Sequence, residues 1–184
     1  MATRKPAPGR LGLVAEFVNT LDVEIGRDVF GDPRSLADWL AEKGLLVEAG
    51  QPVTDQDLAR AIELREELRG LLAANNGIGQ ADLAGLNASA RDLPLRVIFQ
   101  DDGGAVLQAK DDGVDGALAD LIGAVFTAIT DETWSRLKVC REDSCRWAYY
   151  DSSKNRSSAW CSMQVCGNRA KARAYRARAT APPA

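Results

Sequence analysis

Four cysteines and no histidine set the tightest limit on this 184-residue chain. Cys140, Cys145, Cys161 and Cys166 read C-x4-C, fifteen intervening residues, then C-x4-C. Zinc takes four soft ligands in a tetrahedron, and two short cysteine pairs on separate turns can supply them. Four thiolates leave no open position for water, so the pattern predicts one structural Zn2+ and no catalytic metal. Two disulfides or buried free thiols are the competing readings. No secretory signal speaks for disulfides, and inert thiols rarely fall as two pairs in so polar a stretch. The cysteine-bearing end has few aliphatic residues, so it needs a staple of this kind to hold a fold.

The missing imidazole also removes histidine-based catalytic triads, HExxH metalloproteases and zinc fingers with paired histidine ligands. Gly77-Ile78-Gly79 is too short for a phosphate-binding fingerprint and reads as a helix end. The chain is therefore not expected to be an enzyme. Its net charge of -3 conceals a split. Residues 1–137 hold 13 basic and 23 acidic side chains, a net -10, whereas residues 138–184 hold 10 basic and 3 acidic ones, a net +7. Four thiolates with one Zn2+ would bring that end nearer +5, so its positive charge rests on arginines and lysines. A basic end suits a polyanion. The opening MATRKPAPGRLGLVAEF has no apolar core long enough for a signal peptide, and Leu121–Thr130 is too short to span a bilayer. The expectation is a cytoplasmic protein with no membrane partner.

Hydrophobic periodicity gives a mainly helical amino-terminal part. Residues 1–10 read as a flexible arm. Val14, Phe17, Val18 and Leu21 share one face of a helix over 11–22. Pro33 and Ser35 mark a helix start, with Leu36, Trp39 and Leu40 inside and a stop at Gly44. Thr54 caps the clearest helix, residues 55–74, which ends at Asn75-Asn76-Gly77. A short helix follows over 80–91. The period then changes to two: residues 94–109 form a β-hairpin around Asp101-Asp102-Gly103-Gly104, one that needs a helix or a partner strand to be stable. Residues 114–131 are helical, with Leu118, Leu121, Ile122, Val125, Phe126 and Ile129 as the buried face. The fold class is α+β: a mainly helical domain over 11–136 with a small hairpin, a small zinc-finger subdomain over 137–178, and a tail over 179–184.

The stretch CREDSCRWAYYDSSKNRSSAWCSMQVCGNRAKARAYRAR strongly resembles the CGNR zinc-finger family, named for the tetrapeptide Cys166-Gly167-Asn168-Arg169. Arg146-Trp147, Tyr150-Asp151, Asn155-Arg156 and Trp160-Cys161-Ser162-Met163 belong to the match. Ser158-Ala159 departs from it, where relatives often carry further arginines. The resemblance implies a zinc finger that binds DNA, with the four cysteines as ligands. Phe17-Val18-Asn19-Thr20-Leu21, Trp39-Leu40 to Gly44-Leu45, and Leu64-Arg65-Glu66-Glu67-Leu68-Arg69 with Leu71-Leu72 resemble the ABATE domain, described as a stress-induced transcription regulator. The two together imply transcription regulation in a stress response.

If Asn168 caps a helix over 169–178, Arg169, Arg173 and Arg176 fall within about 60° of one another and Lys171 and Arg178 project oppositely. Such a helix suits a groove with phosphates on both flanks. With Arg156, these are the candidate DNA contacts; the competing reading is a solvated, frayed tail. Gly167 is expected to permit the sharp exit from the zinc site. Trp147, Tyr149, Tyr150 and Trp160 read as a small core around the metal.

Arg65 sits in the middle of the apolar face formed by Leu58, Ala61, Ile62, Leu68 and Leu72. It needs an anionic or carbonyl partner. Asp22 and Asn19 are the candidates, and the same residues with Thr20 would be the place for a small anionic effector. The functional expectation is a DNA-binding regulator whose acidic body senses or forms a homodimer. A zinc-dependent protein–protein module, in which the +7 end grips the -10 body, and a thiol redox switch are the alternatives.

Overall fold

A computed structural model describes residues 6–46 and 52–179. The expected tail (apart from Ala179) and the first five residues of the arm lie outside these. Helix α1 (Leu11–Val18) leads into a two-residue strand pair, β1 (Leu21–Asp22) with β2 (Arg27–Asp28), and then α2 (Pro33–Glu42). The long α3 (Asp55–Asn75) and short α4 (Leu83–Arg91) precede the antiparallel hairpin β3 (Leu95–Phe99) and β4 (Ala105–Ala109). Helix α5 (Val114–Thr130) closes the body. A second hairpin, β5 (Leu137–Val139) with β6 (Ala148–Tyr150), and α6 (Asn168–Ala179) build the end.

Local chemistry starts the helices where the sequence suggests. Asp32 and Ser35 cap α2 reciprocally, and Thr54 and Asp57 do the same for α3, satisfying amide donors that helix starts leave unpaired. Gly44 ends α2 with a φ of 66°, which a side chain would strain. Leu64, Leu68 and Leu72 of α3 pack with Val14, Phe17 and Val18 of α1, Leu36 and Leu40 of α2, and Leu118 and Leu121 of α5. Phe17, Phe30 and Trp39 form a triangle with ring centroids 5.7 Å apart.

Two expectations need correction. The first helix stops at Val18 rather than running to residue 22. Asn19 turns out of it to meet β6, donating from Nδ2 to the Ala148 carbonyl at 3.0 Å and accepting the Ala148 amide at 2.7 Å. A long-range pairing outweighs helical periodicity there. In α5, Leu118, Leu121 and Val125 are buried as expected, but Phe126 and Ile129 are exposed. The inward positions go to Gly116, Ala117, Ala124 and Ala128. The hairpin backbone lies so near that a Cβ at Gly123 would stand 3.2 Å from the Leu107 carbonyl oxygen, and small residues admit it while the large ones turn outward.

The basic end is not a bead on a string. Leu137, Val139 and Ala148 belong to the same hydrophobic core as the body helices, while Cys140, Cys145, Tyr149 and Cys166 form a second cluster with Trp160 and Cys161 against it.

Candidate zinc centre and basic helix

The first cysteine pair sits in the loop of the β5–β6 hairpin. Its ladder continues through the Cys140 amide to the Trp147 carbonyl at 2.9 Å, and the Glu142 carbonyl accepts from the Cys145 amide at 2.9 Å. In the second pair, Cys161 precedes and Cys166 lies within a widened turn, Met163–Gly167, closed by the Gly167 amide on the Ser162 carbonyl at 3.0 Å, five residues back. A four-residue spacing fits such a turn: it returns Cys166 beside Cys161 with Sγ atoms 3.7 Å apart. A further bond, from the Arg141 amide to the Ala159 carbonyl at 3.0 Å, holds the two halves together.

The sulfurs test the metal directly. Four ligands about 2.3 Å from one zinc ion stand about 3.8 Å from one another. Here Cys145 and Cys161 are 3.6 Å apart, and all four Sγ atoms lie within 4.8 Å. That is far too long for a disulfide and right for one tetrahedral zinc. Thiols of Cys145 and Cys161 donate to Cys140 and hold it below the ordinary thiol range. The Cys140 thiolate in turn pushes Cys145 and Cys161 up, and burial pushes Cys166 up. Zinc must displace the protons these thiols keep, so affinity falls as pH falls.

Aromatic residues divide between two roles. Tyr149 is buried and donates its hydroxyl to the Ser158 carbonyl at 2.7 Å, and Trp160 packs on the cysteines. Tyr150 packs on the main core, whereas Trp147 stays exposed, contrary to the expected core role. Gly167 does not take a left-handed backbone. A Cβ there would collide with the Met163 thioether and stand 3.2 Å from a Trp160 ring carbon, so glycine serves close packing and not a sharp turn. Asn168 is the first residue of α6 rather than its cap. The capping oxygen is that of Ser162, on the turn before.

Polar anchors that the sequence did not reveal fix this end to α3. Asn76 is buried and donates to the Val139 carbonyl at 2.7 Å and the Ala159 carbonyl at 3.0 Å, while its own carbonyl accepts Arg141 Nε at 2.8 Å. Asn75 donates to the Leu137 carbonyl at 2.9 Å. Arg69 reaches the Val18 carbonyl at 2.6 Å and the Arg146 carbonyl at 3.2 Å. Beneath the loops, Lys138 donates to Asp151 at 2.8 Å and to the Arg156 carbonyl at 2.6 Å, all but sealed from water. Burial works against the Asp151 carboxylate, but bonds from Lys138, Ser153 and Ser158 outweigh it and hold the carboxyl well below its ordinary range.

The candidate DNA contacts differ in their surroundings. Arg169 pairs with Glu24 of the body at 2.7 Å, and Arg173 with Glu142 at 2.7 Å. Glu142 is buried between Cys140 and Cys145, so this second pair orients α6 relative to the metal loops. Arg156 has a left-handed φ of 52° and reaches Ser135 Oγ at 3.3 Å. Arg176 lines an open groove with Arg169, Arg173, Gln164 and Asn168. Lys171 and Arg178 are exposed and make no ion pair among the described residues.

Arg65 finds a partner other than those expected. It grips Asp28 bidentately at 2.7 and 2.8 Å, meets Thr20 Oγ1 at 3.2 Å and Glu66 at 2.8 Å, and lies over the Phe30 ring. Burial works against the Asp28 carboxylate, but the Arg65 bonds outweigh it and hold that carboxyl below its usual value. Asp22 instead accepts the Glu24 amide, and Asn19 is committed to Ala148. The geometry supports the architectural reading of Arg65 over an effector site. Replacing Arg65 by Met strands Asp28 and is expected to cost about 3 kcal/mol in chemical denaturation, with no gain or loss of ligand response.

No helix among the described residues is long and apolar enough to cross a membrane. Residues 136–179 match the family model of the CGNR zinc finger. Residues 11–132 match that of the ABATE domain, described as "Putative stress-induced transcription regulator". No curated protein matches the chain.

Proposed function

From a chain that belongs to the ABATE family and ends in a CGNR zinc finger, we infer a transcription regulator that binds DNA through α6. It is not an enzyme, and its place is a cytoplasmic stress response. One observation carries this reading. The twelve residues of α6 bury no side chain, and only Ala170 is even half-covered. The helix holds five cations and no acid, so like charges one turn apart repel. A helix polar all round is unstable unless something pairs with it. Zinc holds its start through Cys166, and a polyanion supplies countercharge to Lys171 and Arg178, which make no ion pair among the described residues.

The arginine face already meets carboxylates in Glu24 and Glu142. That gives the protein–protein reading one specific support: Arg169 reaches Glu24 on the acidic body, whereas Glu142 belongs to the basic end itself. For DNA, it means that phosphate must replace Glu24 at Arg169, while Lys171 and Arg178 are ready at once. Binding of a mixed-sequence duplex, followed by fluorescence anisotropy, tests both. Lys171→Ala and Arg178→Ala should each weaken binding on all sequences and reduce the salt slope by about 1. Glu24→Gln should tighten binding a few-fold. Weaker binding in Glu24→Gln, with neither cation mattering, would favour the protein–protein module.

A further inference from the structure

The hairpin β3–β4 has one covered edge and one open edge. Its ladder bonds join even-numbered residues, as the Lys110 amide on the Pro94 carbonyl at 2.8 Å and the Gln100 amide on the Gly104 carbonyl at 2.9 Å show at its two ends. The odd-numbered backbone groups therefore point outward. On β4 they meet α5: the Leu107 carbonyl oxygen lies against Gly123, and the Ala109 amide reaches Asp120 at 3.5 Å. On β3 the outward groups of Val97 and Phe99 have no partner among the described residues. Val97 is 55% exposed, Ile98 37% and Phe99 82%. Proteins guard such edges with lysine, proline, a bulge or a very short strand. This strand of five residues has only Arg96, which is turned onto Gln108 across the hairpin at 2.9 Å.

We propose that β3 is where two copies of this chain pair, antiparallel about a two-fold axis, joining two hairpins into one four-stranded sheet. The charges select a second copy in that sense. Arg96 lies near the start of the strand and exposed Asp101 and Asp102 in the turn at its end. Antiparallel pairing brings Arg96 of each copy toward the acidic turn of the other, whereas parallel pairing stacks like on like. A two-fold axis is also the commonest closed symmetry, and it leaves no edge over for further growth. Two strands alone are marginal in water, and the added pair completes the sheet.

Sedimentation equilibrium of the zinc-loaded full chain, from about 1 to 200 µM, tests this. The 19.8 kDa chain should move to twice its mass across that range. Phe99→Lys should weaken association at least about tenfold, while Leu83→Lys, at another exposed apolar site on α4, should leave it unchanged. Zinc content and the circular dichroism melt confirm that each variant is folded; Val97→Lys stands in if Phe99→Lys is not. A monomeric wild type throughout, an unaffected Phe99→Lys or Val97→Lys dimer, or equal weakening by Leu83→Lys overturns the proposal.

Discussion

Stripping zinc from the purified protein, or replacing Cys161 by Ser, will melt the metal loops and α6 while the helical body stays folded. Structural zinc supplies on the order of 10 kcal/mol to small fingers, and the cluster of Cys140, Cys145, Tyr149 and Cys166 is too small an apolar core to replace it, even with the polar anchors from α3. The hairpin carrying the first pair differs, because Leu137, Val139 and Ala148 sit in the body's core. The expected result is therefore two-stage: loss of the 12-residue helix and of trypsin resistance beyond residue 151, with a cooperative melt remaining for the body at a lowered temperature. Complete unfolding on chelation would mean that the core of α1, α3 and α5 is not self-sufficient. No change at all would mean that the cysteines hold no structural metal.

Lys138→Met is the second large effect. It leaves the Asp151 carboxylate at 0% exposure without its cation. Breaking a buried pair from one side costs about 3–5 kcal/mol, which for a chain of this length lowers the melting temperature by roughly 10 °C. Removing the acid as well, in Lys138→Met with Asp151→Leu, should recover part of the loss. Recovery stays incomplete, since the Ser153 and Ser158 amides and the Arg156 carbonyl lose their partners too. The pH dependence has a definite sign. The Asp151 carboxyl is held below its unfolded value, so its stabilisation is present above about pH 4 and is lost as pH falls further. In Lys138→Met that acid-side loss should flatten.

The metal site was legible because its chemistry is local in type: four cysteines in two pairs name their ligand without any fold. The long helix was legible through Thr54 and its leucines, which need only short-range rules. What holds the site in place was not. Asn75 and Asn76 looked like a helix ending, yet their side chains anchor strands about 60 residues later. Nothing in the sequence pairs Lys138 with Asp151; the β5–β6 hairpin brings them together and buries them. Arg65 announced that it needed an acid, but the choice of Asp28 over Asp22 depends on a two-residue strand pair with no periodicity to detect. The face of α5 is not legible from periodicity of large apolar residues, because close approach of the hairpin gives the inward positions to glycine and alanine.

The proposed function rests on α6 as a zinc-presented polyanion reader. Duplex DNA titrated with the zinc-loaded protein between 50 and 300 mM salt measures this most directly, with the chelated protein as comparison. Six basic side chains predict a log–log slope between about -3 and -5, and affinity lost on chelation. A flat response, or no binding up to roughly 100 µM protein, would contradict it.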